Sequence, residues 1–343
     1  MARTRVAVNG AGRIGRAFIK IAKDRDEIEL VAMNDLGDAD NIAYLIKYDS
    51  VYGTAPFEVR VRDDKKAIIV DGTEILFLQE KNPAKLPWKD LNIDVVVEST
   101  GLFVTYESSK VHLTAGAKKV VVTAPMKDSP STEISGATVL MGVNEEKLSS
   151  CQISSNASCT TNSASPLIAI LDEAIGIEKA VLNTVHGYTA TQSLVDGPSK
   201  KGLREGRAAA QNIVPSSTGA AIAVTKAFTK LEGLFDGLSV RVPVIAGSIV
   251  DVTFIAKRET SRDEVNGILK KAADQERWKG IFAVTEEELV STDILGSRFG
   301  SIADLSLTRV IGGNLVKVMA WYDNEMGYTY TLVEHVVKAG NTI

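Results

Sequence analysis

The sequence predicts an α/β fold in which a parallel β-sheet occupies the first part of the chain and a mixed or antiparallel sheet with flanking helices occupies the second. In the first 125 residues, short β-branched apolar runs end in turns rich in glycine and hydroxyl side chains, which is typical of buried parallel strands. Between Val240 and Ala256, and again from Leu305 to Trp321, apolar and polar residues alternate, as is typical of strands with one exposed face. The length, 343 residues, fits two domains.

The first predicted strand leads into a glycine-rich loop. The apolar run Arg5–Val8 precedes Asn9–Arg16, which has the pattern G-x-G-x-x-G, and an amphipathic stretch, Ala17–Ala22, follows. Between a strand and a helix, this pattern lets the backbone approach a pyrophosphate at a helix N-terminus. The sequence therefore predicts a Rossmann-type sheet with a dinucleotide site, and the loop residues expected to bind the cofactor are Gly10, Gly12, Arg13, Ile14 and Gly15.

An acidic residue follows the second predicted strand at the spacing that such a site requires. The strand Glu29–Met33 ends at Asn34 and Asp35, and Asp35 lies twenty residues after Gly15. A carboxylate there accepts hydrogen bonds from the adenosine ribose and repels a 2′-phosphate, so the sequence favours NAD over NADP. The alternative is an aspartate that only terminates a turn or caps a helix.

Two further β-branched runs, 94–98 and 119–123, continue the predicted parallel sheet. In open α/β sheets, ligands bind at the carboxyl ends of the strands. We therefore expect Thr100 and Thr123, which end these runs, to lie near the cofactor.

Cys159 begins a predicted helix in the second part of the chain. It lies among small hydroxyl and amide side chains in Ser155–Asn162, directly before the apolar run Pro166–Leu171. The first turn of a helix offers unpaired N–H groups and positive partial charge, which stabilise a thiolate. A buried structural cysteine is the alternative, but it usually has apolar neighbours. We therefore interpret Cys159 as a nucleophile and Cys151 as structural.

His186 is the predicted partner of this thiol. A helix over about 160–174 runs roughly 22 Å, and a strand over about 179–186 covers a similar distance on its return. The strand then ends near the helix start, where an imidazole and a thiol form a nucleophile–base pair. The alternative is a hydrogen-bonded core histidine, which is how we interpret His112 and His335.

The charge pattern limits the classes of partner. The formal net charge is −4 and the cations are dispersed, which argues against a dedicated nucleic-acid binder. No apolar stretch has the length of a membrane span, and we expect neither a targeting peptide nor a metal site. The cationic loop 197–207 either is solvated, steers anionic ligands or packs at a subunit interface. Two cysteines, one of them interpreted as catalytic, suit a reducing compartment such as the cytoplasm.

We expect the domain boundary near Asn156. Residues 1–156 would form the NAD-binding domain and residues 157–324 the catalytic domain. Leu332, Val333, Val336 and Val337 have helical spacing, and we expect this C-terminal helix, within 325–343, to return to the first domain.

Together these motifs give the sequence a family resemblance: it is similar, nearly end to end, to the phosphorylating glyceraldehyde-3-phosphate dehydrogenases of the NAD-dependent, glycolytic type. The stretches that carry the resemblance occur in the family's order, and they are Asn9–Arg16, Ser155–Asn162, His186–Thr191, Ser216–Ala221, Arg241–Pro243 and Trp321–Tyr328. The resemblance implies a cytosolic homotetramer that oxidises glyceraldehyde 3-phosphate with NAD and inorganic phosphate to 1,3-bisphosphoglycerate.

The resemblance also implies site roles. Cys159 would be the nucleophile, forming a thiohemiacetal and then a thioester, and His186 its base. The residues that would hold the substrate phosphate are Thr189, Thr191 and Arg241. Those that would hold the attacking phosphate are Ser158, Thr160, Thr218 and Gly219. Asn324 would fix the nicotinamide amide, and Tyr328 would also contact the cofactor.

Two features refine the resemblance. Leu36 and Pro198 stand where NADP-using plastid relatives tend to carry Thr and Ser, so the chain again resembles the NAD users. Ile222 replaces a usual Lys, and 244–247 replaces the commoner Thr-Pro-Asn-Val. Subunit contacts and anion affinity are the properties in which we expect these departures to matter, because losing a cation weakens the local positive potential. Two alternatives stay open at this point. One is an erythrose-4-phosphate dehydrogenase that uses water in place of phosphate, and the other is a noncatalytic NAD-binding redox sensor.

Overall fold

The computed structural model describes residues 3–343, which form two compact units. Unit 1 comprises the described residues up to Ala157 together with Thr329–Ile343, and unit 2 comprises Ser158–Tyr328. Each unit has its own β-sheet with helices between the strands, which confirms the predicted α/β fold class. Within residues 3–343, every helix falls short of the length or apolar character that a bilayer crossing requires.

Unit 1 is built on a nine-stranded sheet. The strands of the unit, including the separate hairpin β3–β4, are β1 (Thr4–Asn9), β2 (Ile28–Asn34), β3 (Tyr48–Asp49), β4 (Gly53–Thr54), β5 (Val59–Val61), β6 (Ala67–Val70), β7 (Thr73–Leu78), β8 (Val95–Glu98), β9 (Lys119–Val122), β10 (Gly136–Thr138) and β11 (Ile153–Ser155). Their spatial order is β10-β11-β9-β8-β1-β2-β7-β6-β5. All neighbours are parallel except β7–β6 and β6–β5, so the predicted parallel sheet carries an unpredicted antiparallel edge.

The central strands are buried because their residues are almost all apolar and β-branched. Every residue of β8 and β9 is buried, and the indole of Trp88 packs in the cluster beneath them with Val96.

Three helices follow strands in unit 1, and they are α1 (Arg13–Ala22), α2 (Ala39–Lys47) and α3 (Tyr106–Thr114). Asp38 caps α2, and Thr105 with Ser108 forms a capping box on α3. By contrast, α1 follows Gly12, so the positive end of its dipole meets the glycine-rich loop.

Unit 2 is built on an eight-stranded mixed sheet, as the alternating runs predicted. Its strands are β12 (Ile177–Gly187), β13 (Val214–Ser217), β14 (Phe235–Val242), β15 (Ser248–Ala256), β16 (Phe282–Thr285), β17 (Ser301–Asp304), β18 (Arg309–Ile311) and β19 (Leu315–Tyr322). The main path runs β13-β14-β12-β15-β19-β17-β16, and β18 pairs with β19. Its helices are α4 (Cys159–Ile175), α5 (Ala220–Ala227) and α6 (Arg262–Ala273).

A tight reversal after α4 returns the chain along the sheet. Gly176 has φ +72°, and its N–H donates to the carbonyl of Asp172 at 3.1 Å. The carboxylate of Asp172 then accepts from the N–H of Ile177 at 3.0 Å, which starts β12. This reversal brings the end of β12 back to the start of α4.

The last helix, α7 (Met326–Gly340), begins in unit 2 and continues into unit 1. Its apolar residues Leu332, Val333 and Val336 are fully buried. Within unit 1, the imidazole of His335 lies 2.8 Å from the hydroxyl of Ser154 and 3.0 Å from Oδ1 of Asn156. Residues on both sides of unit 2 in the chain therefore build unit 1.

Candidate active site

The thiol of Cys159 and the imidazole of His186 face each other in unit 2. The distance from Sγ to Nε2 is 3.4 Å. Cys159 is the first residue of α4, and Ser158 caps that helix by accepting from the N–H of Thr161 at 3.1 Å. The helix start thus fixes the thiol, and the end of β12 fixes the imidazole.

Burial governs the protonation of this pair. It raises the pKa of the Cys159 thiol, although Arg241 and hydrogen bonds from Thr160 act in the opposite direction. It lowers the pKa of His186 to about 3, and the charge of Arg241 adds to that effect. The structure thereby corrects the expectation of an acidified thiol, because desolvation outweighs the helix start and the nearby cation. A neutral thiol faces a neutral imidazole, so sulfur must transfer its proton to become a nucleophile.

Arg241 reaches this pair through the register of the sheet. In the parallel pairing of β12 with β14, Arg241 lies beside His186. Its Nη1 atom lies 2.5 Å from Nδ1 of His186 and 3.2 Å from the carbonyl oxygen of Gly187. Its Nε atom is buried and has no hydrogen-bond partner among residues 3–343. The guanidinium therefore retains donor capacity for an anion.

The predicted phosphate-binding hydroxyls lie on segments that flank these elements. Thr189 and Thr191 follow β12, and their hydroxyls are 3.0 Å apart. The hydroxyl of Thr218 accepts from the N–H of Ala220 at 3.1 Å, and Gly219 immediately precedes α5. The hydroxyl of Thr160 is buried and lies 2.8 Å from the Tyr322 hydroxyl. The anion-binding roles of these residues remain predictions.

Tyr322 is a site residue that the sequence did not reveal. Its hydroxyl joins Thr160 to Thr184, which lies 2.7 Å away, and its ring packs edge-on against His186 with centroids 5.9 Å apart. Burial raises the pKa of Tyr322, so the hydroxyl remains protonated. Ser248 of β15 pairs with both His186 of β12 and Tyr322 of β19, so the two rings lie on the same row across the sheet. That register is visible only in the fold.

The glycine-rich loop of unit 1 has the shape of a pyrophosphate cradle. Gly10 has φ +99°, and a Cβ there would lie 2.7 Å from the backbone nitrogen of Thr100. A Cβ on Gly15 would lie 2.0 Å from the carbonyl oxygen of Gly10. Gly12, at the start of α1, has open space around it. Two glycines thus permit close backbone packing and the third leaves room for a ligand, so the residues fit the phosphates of a dinucleotide.

A cavity of about 280 Å³ adjoins this loop in unit 1. Four of the predicted cofactor residues line it, namely Gly10, Gly12, Asp35 and Thr100. The carboxylate of Asp35 accepts from the N–H groups of Ala11 at 2.7 Å and Gly37 at 2.8 Å. Asp35 therefore shapes the loop as well as facing the cavity, and the exposed apolar side chain of Leu36 lies beside it.

The other predicted cofactor residues lie outside the lining of this cavity. Ile14 and Gly15 are in α1, and Arg13 pairs with Asp49 at 2.7 Å. Thr123 follows β9, and its N–H donates to the carbonyl of Glu98 at 3.0 Å. Asn324 and Tyr328 belong to unit 2. The side-chain oxygen of Asn324 accepts from the N–H of Gly247 at 2.9 Å, and Tyr328 is buried near the start of α7.

Comparisons with known proteins give matches in both units of the chain. The family model described as "Glyceraldehyde 3-phosphate dehydrogenase, NAD binding domain" matches residues 4–106, and the one described as "Glyceraldehyde 3-phosphate dehydrogenase, C-terminal domain" matches residues 158–324. Glyceraldehyde-3-phosphate dehydrogenase 2 of Saccharomyces cerevisiae is 47% identical over 340 residues, which cover 98% of this chain and 99% of the relative. Glyceraldehyde-3-phosphate dehydrogenase of Streptomyces coelicolor is 45% identical over 342 residues, or 99% of both chains.

Proposed function

The chain belongs to the glyceraldehyde-3-phosphate dehydrogenase family, and we propose that it converts D-glyceraldehyde 3-phosphate to 1,3-bisphosphoglycerate with NAD and inorganic phosphate. The observation that carries the proposal is the 3.4 Å approach of the Cys159 sulfur to Nε2 of His186 at the start of α4. A thiol beside a base can bind an aldehyde carbon covalently and keep the oxidised product as an energy-rich thioester.

The chemistry begins with proton transfer. Sulfur of Cys159 attacks the aldehyde carbon as its proton passes to Nε2 of His186. The imidazolium then gives that proton to the former carbonyl oxygen, which yields a neutral thiohemiacetal and a neutral imidazole. Bound NAD supplies the hydride acceptor for its oxidation. His186, restored to its neutral form, takes the hydroxyl proton as the carbonyl of the thioester forms. An oxygen of inorganic phosphate then displaces sulfur from the thioester carbon, and the leaving sulfur takes the proton held on Nε2 of His186. This step releases the acyl phosphate and restores the Cys159 thiol and the neutral imidazole.

Two anions need separate binding groups in this reaction. We assign the substrate phosphate to Arg241 with Thr189 and Thr191, because the guanidinium has unused donor capacity and the two hydroxyls are adjacent. We assign the attacking phosphate to a second set of hydroxyl and main-chain groups, which are Ser158, Thr160, Thr218 and Gly219. For Thr160 this role competes with its hydrogen bond to Tyr322.

NAD would be held mainly by residues 1–156 completed by the C-terminal helix within 325–343. The loop residues Gly10, Gly12, Arg13, Ile14 and Gly15 would bind the pyrophosphate, with Asp35 on the adenosine ribose. The remaining cofactor residues would be Thr100, Thr123, Asn324 and Tyr328. Residues 157–324 would form the catalytic domain.

We further propose a cytoplasmic homotetramer. Apolar side chains are exposed on the strands and turns of the unit 2 sheet, and they include Val181, Leu234, Leu238 and Ile311. Such a surface suits burial against another copy of the chain. Both cysteines are free, and a nucleophilic thiol needs a reducing compartment. Light scattering after size exclusion should give four times the 36.8 kDa chain mass.

The deciding experiment follows NADH at 340 nm with glyceraldehyde 3-phosphate while the concentration of inorganic phosphate is varied. We expect steady turnover that requires phosphate. Cys159→Ser should abolish turnover, His186→Asn should slow it by about 10²–10⁴-fold, and the control Cys151→Ala should remain active. Turnover of erythrose 4-phosphate without phosphate would instead indicate a hydrolysing dehydrogenase. NAD binding without any turnover would indicate a sensor.

A further inference from the structure

We propose that Glu98 is a positioning residue of the cofactor site, whose buried carboxylate holds together the ends of strands that line the NAD cavity. This inference rests on the proposed NAD-binding function of unit 1. Glu98 is the last residue of β8 and is 1% exposed. It is not among the residues that line the cavity, so it acts on the cofactor only through its neighbours.

Four donors converge on this one carboxylate. Oε1 accepts from the backbone N–H of Thr100 at 2.8 Å and from the Thr100 hydroxyl. Oε2 lies 2.6 Å from Nδ2 of Asn9 and 3.0 Å from Nε2 of His112. A buried carboxylate is stabilised when its lone pairs are filled in this way, because an unpaired charge would cost far more.

The donor character of His112 is fixed by a group that has no alternative. The indole Nε1–H of Trp88 can only donate, and it lies 3.1 Å from Nδ1 of His112. Nδ1 must therefore accept, and the proton of the neutral ring must be on Nε2, where it points to Glu98. Trp88, which packs in the hydrophobic core, thus determines the tautomer of His112.

The donor character of Asn9 is fixed in the same manner from the other side. The backbone N–H of Glu80 donates to Oδ1 of Asn34 at 2.8 Å, so the amide nitrogen of Asn34 must face Asn9. It donates to Oδ1 of Asn9 at 2.8 Å, which leaves Nδ2 of Asn9 directed at Glu98. An obligatory donor at each end of the network therefore requires a pure acceptor in its centre.

The network ties together the wall and the loop of the cavity. Asn9 ends β1 directly before Gly10, Asn34 ends β2 directly before Asp35, and Thr100 follows β8. All five of these residues line the cavity. Because Gly10 approaches the backbone of Thr100 so closely that a Cβ would lie 2.7 Å away, a small displacement of Thr100 would move the loop.

Glu98→Gln tests this role with almost no change of volume. The amide can place its oxygen toward only one pair of donors, and its NH₂ group then meets the other pair. The lower cost is to turn NH₂ toward Thr100, whose hydroxyl can rotate to accept, but the Thr100 N–H is then left unpaired at the cavity wall. We expect the Kd for NAD, measured by calorimetry, to rise by about 10-fold.

Two measurements separate positioning from a loss of stability. Ser154→Ala removes a different buried hydrogen bond of unit 1, the one to His335, and it should lower the unfolding temperature without NAD but leave the Kd for NAD within two-fold. Alkylation of Cys159 by iodoacetamide without NAD should proceed at the wild-type rate in Glu98→Gln. Should Glu98→Gln not fold, His112→Leu removes one donor from Oε2 and should raise the Kd about 3-fold.

The outcomes are distinct. Wild-type protein that bound no NAD would overturn the proposed function and this inference with it. Wild-type protein that binds NAD, with a Kd changed less than two-fold in Glu98→Gln, or in His112→Leu if that variant must be used, would overturn this inference alone. An equal loss of affinity in Ser154→Ala would do the same, because the effect would then follow stability.

Discussion

The Nη1 atom of Arg241 and the carbonyl oxygen of Gly187 compete for one nitrogen of His186, since they lie 2.5 Å and 2.6 Å from Nδ1. Nδ1 either accepts from the guanidinium or donates to the carbonyl. In the first arrangement the ring proton is on Nε2, which then cannot accept the proton of Cys159. Only the second arrangement leaves Nε2 free as a base. The position of Arg241 therefore determines whether His186 can accept the proton of Cys159.

Arg241→Gln should make the Cys159 thiol less reactive. The charge of Arg241 lowers the pKa of this thiol, so its removal raises the pKa further. A higher pKa leaves less thiolate at pH 7, so alkylation by iodoacetamide should slow by about tenfold and the pH–rate profile should move to higher pH. Arg258→Gln, which removes an exposed cation paired with Glu264, is the control. An unmoved profile in Arg241→Gln would contradict the expected effect.

Gly12→Ala and Gly15→Ala should separate ligand binding from folding. Gly12 has φ −68° and open space, so an added methyl group fits the protein but occupies the place of a pyrophosphate. We expect unchanged thermal unfolding and a Kd for NAD raised by about tenfold or more. In Gly15→Ala the methyl group meets the carbonyl of Gly10, which should cost about 1–3 kcal/mol of unfolding free energy. Equal behaviour of the two variants would refute this distinction.

Asp35→Asn should weaken NAD binding and reduce discrimination against NADP. The substitution removes the charge that repels a 2′-phosphate and replaces one acceptor of a loop N–H with a donor. Loss of a charge-assisted hydrogen bond corresponds to a rise in Kd of about 10–100-fold for NAD. Asp38→Asn, which retains a good helix cap, is the matched control. If the ratio of the Kd for NADP to the Kd for NAD were the same in Asp35→Asn as in wild type, Asp35 would not discriminate between the two cofactors.

His335→Gln should make the free energy of unfolding less dependent on pH in mild acid. Burial lowers the pKa of His335 to about 3, whereas its ordinary value is 6.5. The unfolded chain therefore binds a proton that the folded chain rejects, and stability falls as pH decreases from about 6.5 toward 3. At pH 5 this amounts to about 2 kcal/mol. Between pH 7.5 and pH 5, urea unfolding should show a loss about 2 kcal/mol smaller in the variant than in wild type. The contribution of His186 remains in both proteins, and the Gln amide can keep both hydrogen bonds.

The thiol–imidazole pair could be predicted from sequence because it depends on lengths and termini of neighbouring elements. A helix after Ser158 and a returning strand to His186 determine where the two side chains meet. The family resemblance implied a site role for Arg241, but its contact with Nδ1 of His186 was not predicted. That contact depends on the pairing of β12 with β14, which brings together residues 55 positions apart in the chain. The rise in the pKa of the Cys159 thiol was also not predicted, because desolvation depends on how the whole unit packs around the sulfur.

In unit 1, local motifs predicted the loop and the parallel strands, but not what fixes them. The pattern around Gly10 and Gly15 is contiguous, so its geometry follows from a few residues. Glu98 and its donor Asn9 are 89 residues apart. Asn9 precedes the glycine-rich pattern, but that pattern gives its side chain no role, and Glu98 belongs to no motif. A polar residue that ends a buried strand was the available signal, but its partners appear only when strands β1 and β8 are adjacent.

The passage of α7 from unit 2 into unit 1 has a consequence for synthesis on the ribosome. The segment Thr329–Ile343 is translated after all of unit 2, although it completes the unit that began with β1. Until this segment emerges, Ser154 lacks its hydrogen bond to His335 in the nascent chain. The apolar surface against which Leu332 and Val336 pack also stays uncovered. Unit 2 can thus finish folding first, and the earlier-made cofactor unit must wait for the late segment.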